Sequence, residues 1–385
     1  MKFSSHSIYH GLLLRQRAMF KISLVFLFCC FISTSLIAQW HKQVIDSDLL
    51  NAYELDVADL NGDGYLDIIA SGNAAYDICW YEAPNWTKRY IDNNLEGAGD
   101  VIAYDIDDDD TLDVLAGSGG SMDDVVWYKG PDPNWAKNYI HRNLNGTIHL
   151  AIGDMDNDGD FDIVAAGAVA DSVVWFENPS WYRRHIGVIN YPRKVKVADI
   201  NKDGTLDVIC SGINEDAVVW YEAPNWTKRY IDSNIDYAYG LDIAYIDEDD
   251  TLDVVAAGAN DNSIIWYKYP SWSKNYVTQN LSGAGGVCVA DINNDDTLDI
   301  AAVGYTGFRV VWYEGPNWNE HIIDNSLSGP EMLLVADIDN DDDSDIVVTA
   351  WDANQVVLYK QVPIYIEQYT KKIPNTFVAY PNYPN

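Results

Sequence analysis

Stretches of the form Asp-x-(Asp/Asn)-x-Asp-x-x-x-Asp begin at Asp59, Asp105, Asp154, Asp199, Asp291 and Asp337. A seventh stretch begins at Tyr245 and lacks the first acid. Each intact copy offers four oxygen-bearing side chains at positions 1, 3, 5 and 9, and a backbone carbonyl at position 7. With a water, that reaches the six or seven oxygens Ca²⁺ prefers, and no soft ligand is present to favour zinc or copper. Mg²⁺ demands tighter octahedral geometry, so calcium is the expected ion.

The expected ligand sets are Asp59, Asn61, Asp63 and Asp67; Asp105, Asp107, Asp109 and Asp113; and Asp154, Asp156, Asp158 and Asp162. Further along stand Asp199, Asn201, Asp203 and Asp207, then Asp291, Asn293, Asp295 and Asp299, then Asp337, Asp339, Asp341 and Asp345. The fifth loop keeps only Asp247, Asp249 and Asp253, so it is expected to be weak or empty, leaving about six sites. Position 6 is Gly64, Gly159 and Gly204 in three loops and Asp in the others, residues that tolerate a left-handed turn. An EF-hand would need Glu at position 12, where Ala70, Ala116 and Ala165 stand in the first three loops. One Asp-rich turn could be a solvated hairpin; six copies with Asp at position 9 argue against that. A catalytic metal is normally a single asymmetric site, so ions repeated in every unit act as structural clips.

The loops recur every 45 to 49 residues, a period that implies a solenoid, propeller or array. Four β-type runs fill each unit. In the first they are Glu54–Asp59, Leu66–Ser71, Asp77–Glu82 and Lys88–Ile91, separated by turn residues. Call these runs A, B, C and D. Run B is continuously apolar, as a strand covered on both faces must be, and the unit reads as a propeller blade. The last unit has no run of type D, but one stands before the first A run, at Trp40–Asp46. The expected fold is therefore all-β, a seven-bladed propeller of four-stranded blades over 39–361, with the N-terminal strand closing the last blade. Closure removes exposed strand edges. Twelve of the 14 tryptophans repeat at two positions per unit, which points to packing between blades.

Residues 1–38 read as a signal peptide: basic residues precede an apolar run from Ile22 to Ile37 that is too short to span a membrane. Met19 offers an alternative start that would give a compact signal. The implied location is secreted or at a bacterial cell surface, without stable membrane insertion. The formal net charge of −35 excludes a nucleic-acid partner. Cys79, Cys210 and Cys288 show no disulfide spacing and read as small buried hydrophobes.

Asp59-Leu60-Asn61-Gly62-Asp63-Gly64-Tyr65-Leu66-Asp67 and its counterparts resemble the calcium motif of the FG-GAP/VCBS repeat family, the propeller type also found in integrin α-subunit heads. The resemblance spans about residues 40–360, with Tyr245 and Leu358 as departures. It implies calcium on the A–B loops of one face and a ligand site on the D–A and B–C loops of the other. Tyr380–Asn385, in the tail 362–385, resembles the opening of the type IX secretion C-terminal sorting domain.

Ligand residues should break the repeat pattern. The candidates are Tyr53, His149, Tyr191, Tyr237, Tyr239 and Glu331 on D–A loops and Tyr305 and Trp351 on B–C loops. No asymmetric group of acid–base residues stands out, so no catalytic residue is assigned. The expected function is a monomeric, non-catalytic binding or adhesion module for an extracellular glycan or protein. A carbohydrate-specific lectin or a polysaccharide-active lyase or hydrolase is the alternative.

Overall fold

A computed structural model describes residues 39–119, 123–130, 135–247 and 249–362. The signal-peptide and sorting-domain readings lie outside these residues. Among them are 28 strands, β1 to β28, in seven antiparallel four-stranded sheets. The first blade is β2 (Ala52–Ala58), β3 (Asp67–Gly72), β4 (Asp77–Glu82) and β5 (Thr87–Asp92) in sequential order. Five more repeat that order. The last blade is β26 (Pro330–Ala336), β27 (Asp345–Ala350) and β28 (Gln355–Val362), completed by β1 (Gln39–Asp46) against β28. The N-terminal closure expected from the orphan D run is therefore present.

The other inner strands are β6 (Ala98–Tyr104), β10 (Thr147–Gly153), β14 (Pro192–Ala198), β18 (Ala238–Ala244) and β22 (Ala284–Ala290). Each packs on the next, and β26 returns to β2, so the ring is shut. The second strand of every blade is buried along its whole length, sandwiched between neighbouring blades. Hydrophobic clusters accordingly span pairs of blades rather than single sheets.

The repeated tryptophans join blades as expected. Trp135 lies edge-on to Trp80 at 6.0 Å, Trp272 to Trp220 at 6.1 Å, and Trp318 to Trp266 at 6.2 Å. A second device repeats at four blade junctions. Asp92 accepts hydrogen bonds from Tyr128 (2.5 Å) and Lys137 (2.9 Å) of the next blade. Asp46, Asp232 and Asp324 do the same with Tyr81 and Lys88, Tyr267 and Lys274, and Tyr359 and Lys42. Cys79, Cys210 and Cys288 are free thiols, and burial pushes those of Cys79 and Cys288 up to about 12.

Candidate metal loops and axial site

The A–B loops are shaped by their own carboxylates. Asp59 accepts from the N–H groups of Asp63 (2.9 Å) and Gly64 (3.0 Å), curling the loop around position 1. Asp105, Asp154, Asp199, Asp291 and Asp337 repeat this pair of bonds. The turn needs a left-handed residue at position 6, where φ is +93° at Gly64 and +66° at Asp110. Position 9 lies fully buried in all seven loops. Asp67 accepts from Leu60 N (3.2 Å) and from Ala83 N (2.8 Å) in the C–D turn, pinning the loop to its own blade.

Burial pushes the position-9 carboxyls up to about 6 at Asp67, Asp162, Asp207, Asp253 and Asp299 and about 7 at Asp113 and Asp345. In the loops at Asp105, Asp154 and Asp337, positions 1, 3 and 9 bring carboxylate oxygens within 4.8 Å of one another. Asp207 and Asp253 lie beside the indoles of Trp220 and Trp266, whose hydrogen bonds only partly offset their burial. Oxygen donors alone, and convergent, fit a hard divalent cation. Bound there, it would offset the buried negative charge and tie strand A to strand B. In the fifth loop Tyr245 offers no carboxylate, and Asp249 N turns instead to Asp247 at 3.2 Å.

The axis is where the seven blades differ. Every inner strand carries a register shift near its start, such as Pro192/Lys194 in β14 and Ala52/Leu55 in β2. Bulges re-aim side chains, and here they present consecutive residues to the channel. Arg193 Nη1 donates to Glu54 at 3.0 Å, and its Nη2 donates to Tyr239 Oη at 3.0 Å and Glu331 at 3.3 Å. Lys194 Nζ bonds both Glu54 oxygens, at 2.8 and 2.7 Å. Tyr239 Oη also donates to Glu331. The Arg193 guanidinium lies over the rings of Tyr53 (4.9 Å) and Tyr239 (4.3 Å). Since β2 and β14 stand on opposite sides of the ring, these bonds span the channel. Arg193 and Lys194 outweigh the cost of burying Glu54 and hold its carboxyl low, whereas burial raises that of Glu331.

Above this plug a funnel of about 2070 Å³ opens towards the A–B loops. Its base carries Glu54, Asp100, His149, Lys194, Lys196 and Asp242, and its mouth is ringed by acidic loop residues such as Asp108, Asp154 and Asp250. Lys196 pairs with Asp242 at 3.0 Å. His149 Nδ1 accepts from Val195 N at 3.4 Å and Nε2 faces Asp100 Oδ2 at 3.5 Å.

Several placements differ from expectation. Tyr53, His149, Tyr239 and Glu331 stand in inner strands, not D–A loops, because the bulged strands start earlier than their apolar runs. Tyr53, Tyr239 and Glu331 join the plug, and His149 lines the funnel. Tyr191 and Tyr237 are exposed loop residues, with Tyr237 stacked on Tyr239 at 6.1 Å. Trp351 packs edge-on to Tyr53 at 5.4 Å, and Tyr305 donates to Asp352 at 2.9 Å. The funnel opens on the face of the acidic loops, opposite to where the ligand loops are expected. Arg193, Lys194, Glu54, Asp100, Lys196 and Asp242 escape a search confined to loops. Their signal is charge inside A runs, above all Arg193-Lys194-Val195-Lys196 in a chain with only 24 basic residues.

A family profile described as the FG-GAP-like repeat matches residues 154–210, which hold the two acidic loops that begin at Asp154 and Asp199 and the strands between them. Residues 154–210 are an FG-GAP-like repeat. No curated protein matches the chain in sequence. Among solved structures it is similar to virginiamycin B lyase from Staphylococcus aureus (TM-score 0.62, 10% identity, covering 84% of this chain and 100% of that one). It is also similar to BBS1N, solved in complex with ARL6DN (0.60, 12%, 86% and 98%). A third is an auxiliary nutrient binding protein from Bacteroides thetaiotaomicron (0.52, 7%, 82% and 69%). At these identities the likeness to solved structures is one of fold. The propeller thus supplies a scaffold, and its axis the individuality.

Proposed function

We propose that this FG-GAP propeller is a secreted, calcium-stabilised binding module that takes an extracellular glycan into the funnel on its acidic-loop face. One observation carries the reading: an otherwise periodic chain places its non-repeating polar residues together at the base of that funnel. Apolar walls with a few convergent polar groups are the usual make-up of a small-ligand site. Lys194, Lys196, Asp242 and His149 supply donors and acceptors at the base, and the plug beneath them gives the funnel a rigid floor. The nutrient binding protein among the fold neighbours is in keeping with such a role.

A second reading is catalytic. His149, Asp100 and Glu54 bring ligand atoms within 4.8 Å of one another, and one fold neighbour is a lyase. His149 is tied to Val195 N and Asp100, and Glu54 to Lys194 and Arg193, so neither is held ready for proton transfer. Binding is therefore preferred.

The test is a glycan-array screen of the purified chain in 2 mM calcium and in chelator, with Lys196→Met and Asp242→Asn as funnel variants. Selective binding lost in both variants supports the reading. Binding that survives both, or capture of protein ligands alone, overturns it. Turnover of a bound polysaccharide, lost in His149→Gln, would establish the catalytic reading instead.

A further inference from the structure

At or near its end, the third strand of every blade places one ionisable residue beside the acidic loop. It is Glu82, Glu177, Glu222 and Glu314 in blades 1, 3, 4 and 6, and Lys129, Lys268 and Lys360 in blades 2, 5 and 7. A neighbouring position on the fourth strand changes with it. Trp80, Trp175, Trp220 and Trp312 pair in register with Arg89, Arg184, Arg229 and His321. Trp127, Trp266 and Leu358 pair instead with Asn138, Asn275 and Gln43. Where the strand carries Glu, the basic partner engages it: Arg89 reaches Glu82 at 2.5 Å and His321 reaches Glu314 at 2.9 Å. Where it carries Lys, no such partner exists across the strand, and the ammonium turns to the loop.

Lys129 Nζ binds Asp107 Oδ2 and, at 2.7 Å, Asp109 Oδ2. Lys268 Nζ binds Asp247 Oδ2 and, at 2.8 Å, Asp249 Oδ2. Lys360 Nζ reaches Asp339 Oδ2 at 3.1 Å. At position 5 the other oxygen already accepts a loop N–H, from Thr111 at 3.0 Å and Thr251 at 3.0 Å. The lysine therefore takes the oxygens left for an ion. Position 3 follows the same division. It is Asp in all three lysine blades and Asn61, Asn201 and Asn293 in three of the four glutamate blades, with Asp156 the exception.

We propose that Lys129, Lys268 and Lys360 are resident counter-ions that replace calcium in blades 2, 5 and 7, so that the propeller holds four calcium ions, in blades 1, 3, 4 and 6. This rests on the reading of the loops as calcium sites. The assignment also accounts for the damaged fifth loop: an ammonium held by Asp247 and Asp249 needs no carboxylate at position 1, so Tyr245 is tolerated. In place of about six ions, the chain takes four.

The test is a calcium titration of the full chain by calorimetry and native mass spectrometry, with folding followed by circular dichroism. Wild type should bind four ions. Lys129→Met and Lys360→Met should each raise the count to five, whereas Lys129→Arg should leave it at four. Lys268→Met should leave four, and adding Tyr245→Asp to it should give five. Six ions in the wild type, or no gain in Lys129→Met and Lys360→Met, would overturn the lysine assignment and leave the calcium reading standing. No calcium bound in any folded variant overturns both.

Discussion

Arg193→Met tests whether the axial plug is an electrostatic lock. The guanidinium is 2% exposed and bonds Glu54, Glu331 and Tyr239 between two aromatic rings. Methionine keeps much of the volume and removes the charge. Breaking one member out of a buried ion-pair cluster costs about 3–5 kcal/mol, chiefly because the partner charge is left uncompensated. Glu54 keeps Lys194 at 2.7 Å, so Glu331, left with Tyr239, is the group that suffers. At about 2 °C per kcal/mol for a large domain, the melting temperature should fall by roughly 6–10 °C. Burial already raises the Glu331 carboxyl, and losing Arg193 raises it further. A raised acid binds more protons folded than unfolded, so the deficit should grow as pH rises from 5 to 8 and shrink as it falls. Adding Glu331→Gln should restore about 0.5–3 kcal/mol, the usual range for coupled neighbours. The assay is a double-mutant cycle by thermal and urea denaturation at two pH values. A loss below about 1 kcal/mol for Arg193→Met, or a Glu331→Gln that deepens it, would refute the reasoning.

Three further outcomes follow from the same geometry. Chelation should destabilise the domain by about 2–6 kcal/mol, from four loops each contributing about 0.4–1.4 kcal/mol at ~1 mM calcium and affinities of ~10⁻⁴–10⁻³ M; a melting temperature indifferent to calcium contradicts it. Bonds from Lys42, Tyr359 and Ser326 outweigh burial and hold Asp324 at about 2, against an ordinary 3.8, so its contribution is present above pH 3.8 and lost as pH falls through 2. After allowance for solvent around Lys42 that is about 1 kcal/mol, and Asp324→Asn should remove it at pH 7 but cost little at pH 2. Deleting residues 39–46 removes β1 and bares the β28 edge, so sedimentation should reveal self-association, whereas an unchanged monomer with an unchanged melting temperature would contradict ring closure by this strand.

The architecture was legible because its causes are periodic. A buried second strand reads as an apolar run in each unit, and the displaced Trp40–Asp46 run announced how the ring shuts. The acidic loops were legible for the same reason. What the repeat concealed were features that vary between blades. Lys129, Lys268 and Lys360 stand well along the chain from the carboxylates they neutralise, and only strand register brings them together. The Asp–Tyr–Lys links join residues 35 or more positions apart across blade junctions, so no local window holds them. Tyr53 and Glu331 were found as exceptions to the repeat, yet a bulge too subtle to read locally turned them into the axis instead of a loop.

The location of individuality in this molecule follows from ring geometry. A residue repeated in all seven blades meets its neighbours' copies only around a circumference, where it packs in the same way seven times. Among the described residues, the axis is where residues from non-adjacent blades come within bonding distance, as Glu54 of the first blade and Arg193 of the fourth do. A single substitution on an inner strand therefore creates asymmetry at the centre at little cost to the wall, because it leaves the blade's own sheet intact. Charge placed there must be satisfied across the channel, which explains why Arg193 and Lys194 come with Glu54 and Glu331 and not with a partner in their own blade. The same constraint makes the funnel base rigid, and rigid polar groups at the bottom of a concave site are what selective recognition requires.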